Sequence, residues 1–167
     1  ERRKNLLGIV KALPLLKQSI DVHLVVIGRG RGYKEEVLAY VQAQGLTTRV
    51  HFLTDVLFAD FPAIYQMASA FVLPSLFEGF GIPISEALWS NCPVITSAGA
   101  CFAEAGGPSS IYIAPNDDAA LAKAIVRVLA DGELAKKMRA DGYAYVQRFR
   151  DDATAAVMMG LYQEIIS

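Results

Sequence analysis

The feature that most constrains this chain is an alternation. Short, mostly apolar runs are separated by stretches in which apolar residues recur every three or four positions. The runs fall at residues 22–27, 49–53, 70–73, 93–96 and 111–114. Strands without polar alternation are buried on both faces, the condition of a parallel sheet covered by helices. The intervening stretches predict helices over 5–16, 33–44, 61–68 and 83–90, and three closing helices over 117–130, 132–147 and 151–166. Asn5 suits an N-cap, Gly45 a C-terminal stop and Pro83 a first helical turn. Residues 97–110, rich in Gly, Ala and Ser, read as the longest irregular stretch. The expected class is α/β, a doubly wound, Rossmann-like parallel sheet. Doubly wound domains open on a strand and this chain opens on a helix, so the first strand is expected upstream of Glu1.

Composition narrows the function. A chain of 167 residues suits one domain. Its net charge of −1 carries no electrostatic footprint for nucleic acid. No apolar stretch approaches the roughly 20 residues that span a bilayer. Cys92 and Cys101 are too few for a disulfide framework, and His23 and His51 stand alone without ligand spacing, so no metal site is expected. A reducing cytoplasm fits this usage.

In open parallel sheets, ligands bind beyond the carboxyl ends of the strands. The most informative segment there is Pro74-Ser75-Leu76-Phe77-Glu78-Gly79-Phe80-Gly81-Ile82-Pro83-Ile84-Ser85-Glu86. Gly79 and Gly81 allow positive φ and close backbone approach to a ligand. The helix that follows offers free N–H groups and the positive end of a dipole, which suits phosphate. Glu78 before the helix and Glu86 within it can accept hydrogen bonds from vicinal hydroxyls. Taken alone, Glu86 reads as a first-turn acid favourable to the dipole. Gly28-Arg29-Gly30-Arg31-Gly32 is not a dinucleotide fingerprint, because Tyr33 stands where the third glycine belongs. Arg29 and Arg31 are candidate phosphate contacts.

Glu78 and Glu86, with seven residues between them, resemble the E-x7-E motif of retaining glycosyltransferases of the GT-B fold. The string from Pro74 to Pro83 resembles the family 4 type. Arg3-Lys4-Asn5-Leu6 is similar to the basic donor-phosphate element of the C-terminal domain of such enzymes, Leu24–Gly28 to its second strand, and residues 91–96 to the turn and strand after the E-x7-E helix. The resemblance covers nearly the whole chain. It implies that residues 1–167 form one nucleotide-sugar-binding domain, with the acceptor site and any membrane attachment at the inner face of the membrane belonging to a missing N-terminal half. It implies that Glu86 binds ribose hydroxyls and that Glu78 faces the donor sugar. The amides of Gly79, Phe80, Gly81 and Ile82 hold sugar and phosphate oxygens. Lys4, with Arg3, neutralises the departing diphosphate, without a metal or other cofactor. Gly28 turns the chain near the donor, and Thr54 and Val56 lie at the nucleobase. The donor is linked to UDP or GDP. The family usually has proline before the glutamate at Glu104, and Ala103 stands there instead, so Glu104 is read as structural. Two other readings stay open at this point: a non-catalytic nucleotide-binding module, and a sugar-nucleotide epimerase of similar fold.

The remaining side chains take plainer readings. Leu88 and Trp89 are expected in the core, Tyr65 and Met67 against the sheet, and the histidines and cysteines as structural groups.

Overall fold

The structure, a computed structural model, describes residues 1–16, 20–30 and 32–166. Helices and strands alternate as α1 (Leu6–Ala12), β1 (Leu24–Ile27), α2 (Tyr33–Ala43), β2 (Val50–Leu53), α3 (Phe61–Met67), β3 (Phe71–Leu73), α4 (Ile82–Trp89), β4 (Val94–Ser97), α5 (Ala100–Gly106), β5 (Ile111–Ile113), α6 (Asp118–Ala130), α7 (Gly132–Val146) and α8 (Asp151–Ile166). Every strand pairing is parallel. This is the α/β, Rossmann-like parallel-sheet class that the apolar runs demand.

Asn5 and Gly45 act as the sequence predicts. The Asn5 side chain accepts from the Gly8 amide at 3.3 Å and starts α1. Gly45 follows α2 at φ +65°. Asp117, the first residue of the helix expected over 117–130, instead caps it: its carboxylate accepts from the Ala120 amide at 2.8 Å and α6 starts at Asp118.

Two further features differ from expectation. The strands form two sheets rather than one, β1-β2 and β3-β4-β5. Among the described residues no ladder joins them, yet both contribute side chains to one core. Val50 of β2, Ile95 of β4 and Ile113 of β5 pack there with Ile9, Val10 and Leu13 of the first helical segment and with Leu121, Ile125 and Val128 of α6. Residues 97–110 are also not irregular throughout. They contain α5, whose Phe102 and Ala105 are buried against α4 in a second cluster with Ile84, Leu88 and Val146. The glycines that suggested a loop are its two ends, Gly99 and Gly107, both at positive φ.

Candidate functional site

The loop from Pro74 to Gly81 leaves β3 and leads into α4. Its base is rigid. Pro74 and Ser75 are buried, the Ser97 hydroxyl donates to the Ser75 carbonyl at 2.6 Å, and the Thr96 hydroxyl donates to the Leu73 carbonyl at 2.8 Å. The strand end is therefore fixed by its neighbour β4.

Gly81 turns the chain into α4 at φ +97°, and no side chain caps the helix. Among the described residues, the amides of Gly79, Phe80, Gly81 and Ile82 donate to no protein acceptor. A helix tip with free N–H groups is an anion-binding surface. Gly79 does not share the positive φ expected of it, and a Cβ there would meet nothing within 4 Å. Its backbone borders open space. Phe80 turns inward, edge-on to Phe149 with ring centroids 5.3 Å apart, while Ile82 lies exposed at the tip.

The amino-terminal segment meets this loop. The Leu76 amide donates to the Arg3 carbonyl at 2.8 Å. The Arg3 guanidinium donates to the Phe77 carbonyl at 3.2 Å, lies over the Phe77 ring and pairs with the Glu78 carboxylate. The hydrogen bond to Glu78 raises the Arg3 pKa further above its ordinary value. Arg3 also pairs with Glu1 at 2.8 Å. The second Glu78 oxygen accepts from the Ser75 hydroxyl at 2.9 Å. Lys4, the next residue after Arg3, is half-buried, and its side chain pairs with no carboxylate among the described residues. The Asn5 amide group reaches across to the Pro115 carbonyl after β5, which ties the basic segment to a second loop of the same sheet edge.

Glu86 departs from the first-turn reading. It is the fifth residue of α4, and no acid occupies the first turn. The Tyr65 hydroxyl of α3 donates to its carboxylate at 3.1 Å. Burial first, and then the Glu86 charge, push the Tyr65 pKa well above its ordinary value. Thus the structure brings Arg3 and Glu78 together at the start of the α4 tip, with Lys4 next to Arg3 in the chain, and each acid has its own protein partner.

The loops after β1 and β2 form a second cluster. Gly28 follows β1 at φ +142°, and its amide donates to the Leu53 carbonyl at 3.0 Å. Arg29 pairs with Asp55 at 3.2 Å, and the Thr54 hydroxyl donates to Asp55 at 3.2 Å. Val56 is half-buried beside the exposed Leu57 and Phe58. Arg31 lies outside the described residues.

Several plainer readings need correction. His23 and His51 do not stand alone. Their rings stack with ring nitrogens 2.9 Å apart, which the β1-β2 register brings about by pairing Val25 with His51. Met67 is 86% exposed rather than packed on the sheet. Leu88 is in the core as expected, but Trp89 lies at the surface, edge-on to Tyr143. Cys92 is buried, and burial pushes its thiol up to about 11. The Tyr65–Glu86 contact has no signal in the sequence; the apolar spacing of α3 marks only which face packs, not what a hydroxyl reaches.

Among the described residues, no three His, Cys, Asp or Glu side chains gather as a metal cradle, and no helix is long and apolar enough to cross a membrane.

The sequence profile of the family described as "Glycosyl transferases group 1" matches residues 1–145. The chain belongs to that family. It is 32% identical over 151 residues to the O-antigen chain mannosyltransferase B of Escherichia coli, an alignment that covers 89% of this chain and 40% of that protein. The solved sucrose-phosphate synthase of Thermosynechococcus elongatus superposes with a TM-score of 0.83 at 30% identity, covering 99% of this chain and 43% of that one. The C-terminal domain of a group 1 glycosyl transferase (LpcC) of Francisella tularensis superposes with a TM-score of 0.76 at 25% identity, covering 89% of this chain and 80% of that domain. The chain thus spans less than half the length of the E. coli relative. Within the family's fold, the uncapped tip of α4 and the Arg3–Glu78 pair lie at the carboxyl edge of the β3-β4-β5 sheet.

Proposed function

We propose that this chain is the donor-binding half of a retaining, family 4 type glycosyltransferase of the GT-B fold. In this reading it holds a nucleoside-diphosphate sugar whose hexosyl group passes to an acceptor seated on a separate N-terminal domain, in polysaccharide or glycoconjugate synthesis. The uncapped α4 tip carries the reading: the amides from Gly79 to Ile82 have no protein acceptor among the described residues, Gly79 borders open space, and Arg3 pairs with Glu78 next to them. Breaking the sugar–phosphate bond moves negative charge onto the diphosphate. Oriented N–H groups and fixed cations aimed there lower the barrier. Glu78 would meet the sugar hydroxyls, sharing or yielding its bond to Arg3 as the phosphates arrive. Glu86 would accept from the ribose. Gly28, Thr54 and Val56 would border the base.

Three observations on other proteins support the donor class. The E. coli relative is a mannosyltransferase. The T. elongatus protein is a sucrose-phosphate synthase. The Anabaena protein HepE, of the same fold at 20% identity, is solved with UDP-glucose.

The test is calorimetric titration of the 167-residue chain with UDP, GDP and their glucose and mannose conjugates. One nucleotide should bind, with no sugar transfer by the chain alone. In the longer protein, Lys4→Ala and Glu78→Ala should each lower turnover at least tenfold. Unchanged turnover in both would favour a non-catalytic module, and sugar isomerisation without an acceptor would favour an epimerase. Fractionation of cells expressing the longer protein addresses its placement, which we propose is cytoplasmic with peripheral attachment at the inner face of the membrane.

A further inference from the structure

Glu86 is held by a neighbour that the E-x7-E pattern does not contain. Its Oε2 accepts from the Tyr65 hydroxyl at 3.1 Å, and its Oε1 has no protein partner among the described residues. Tyr65 is itself fixed. Its ring meets Phe71 of β3 edge-on, with centroids 5.3 Å apart and planes at 81°, and lies 6.4 Å from the Phe61 ring of its own helix. The hydroxyl is therefore anchored to the sheet through an aromatic contact, and α3 packs against α4. A glutamate on a helix has three side-chain torsions to order before it can grip a ligand. A hydrogen bond to one of its oxygens removes most of that freedom in advance and leaves the other oxygen presented.

We infer that Tyr65 is a positioning residue that orients Glu86 to receive the paired hydroxyls of a nucleotide's ribose. The inference rests on the donor-binding reading above. Burial and the Glu86 charge both favour the protonated phenol, so the hydroxyl remains a donor across the physiological range. Replacing it with Phe keeps the ring, its contact with Phe71 and its volume, and removes only the oxygen.

The experiment is calorimetry on the wild-type chain, Tyr65→Phe, Glu86→Ala and the double variant, each titrated with UDP and GDP and with the 2′,3′-dideoxy forms of both. For the nucleotide that binds, Tyr65→Phe should weaken the ribonucleotide about 3–10-fold and leave the dideoxy form within about twofold. In the Glu86→Ala background the same substitution should change neither, the coupling signature of residues that act together. An equal loss for ribo and dideoxy forms would make Tyr65 a packing residue only and overturn the inference, as would no loss for either. If Tyr65→Phe proves unfolded by circular dichroism, Tyr65 serves the fold, and the inference is likewise overturned unless Glu86→Gln, which keeps the side chain's shape, loses the ribo-against-dideoxy preference. A wild-type chain that binds neither nucleotide sinks the donor reading itself, a result separate from all of these.

Discussion

Gly81 enters α4 at φ +97°, and a Cβ there would stand 3.0 Å from Ile84 Cδ1 and 3.5 Å from Ala105 Cβ. Ile84 is fully buried, so its side chain has little room to retreat. Alanine at Gly81 thus meets two penalties. A non-glycine residue at this backbone conformation costs on the order of 1–3 kcal/mol. Crowding a packed core costs a further ~1–3 kcal/mol. Their sum is bounded below by the first alone, because Ile84 can give by a few tenths of an ångström. A loss of about 2–4 kcal/mol corresponds to a melting temperature lower by about 5–15 °C for a chain of this size. Gly79 is the control, two residues away in the same loop. A Cβ there meets nothing within 4 Å, and its φ is not positive. Gly79→Ala should leave stability within about 0.5 kcal/mol, as for an unconstrained surface site. It should nonetheless weaken nucleotide binding at least tenfold, because the methyl group enters the space where the ligand's backbone contacts form. Urea denaturation and calorimetry on both variants decide the matter. If Gly81→Ala is neutral, or if Gly79→Ala destabilises as much as Gly81→Ala, the division between fold glycine and ligand glycine is wrong.

Other outcomes follow from the same geometry. Asp117→Ala removes the α6 cap, whose carboxylate accepts from the Ala120 amide at 2.8 Å, and should cost about 1 kcal/mol in urea denaturation. Cys92 should resist a thiol reagent at pH 8 in the native protein while Cys101, less deeply placed, reacts; equal rates would contradict the burial of Cys92. Burial raises the Cys92 thiol from 9.0 to about 11, so the folded state holds this proton more tightly than the unfolded chain. The thiol is neutral in both states below about pH 9, and as pH rises from there through about 11 the unfolded chain ionises first, so the fold loses stability on the order of 2–3 kcal/mol. Cys92→Ala should flatten that alkaline decline in denaturation midpoints measured from about pH 8 to 11.

Local signals were the legible ones. Asn5 and Gly45 announced their helix ends because capping depends on a residue and its near neighbours. The apolar runs announced strands because burial on two faces leaves no polar alternation. The helix α5 was hidden because it is one seven-residue element between two glycines, and its buried face is carried by Phe102, Ala105 and Gly106 alone. Long-range pairs were not legible. His23 and His51 lie 28 positions apart, and only strand register makes them neighbours. At the candidate site, the glycine-flanked loop and its two acids were readable from spacing. The partners that restrain those acids, Arg3 and Ser75 for Glu78 and Tyr65 for Glu86, depend on how helices settle on the sheets. Met67 and Trp89 show the converse, since hydrophobic character alone does not fix which side of a helix faces inward.

Among the described residues no ladder joins β1-β2 to β3-β4-β5, and this bears on how the molecule comes apart. Hydrogen-bonded strands tend to open together, whereas units joined only by side chains can open one at a time. The region bearing Gly28 and Thr54 and the region bearing Glu78 and Glu86 are coupled through the core that Val50, Ile95 and Ile113 share, so truncating Val50 should let the first region exchange its amides with deuterium ahead of the second. A ligand that bridges them, with its base on one and its phosphates on the other, would slow exchange in both at once.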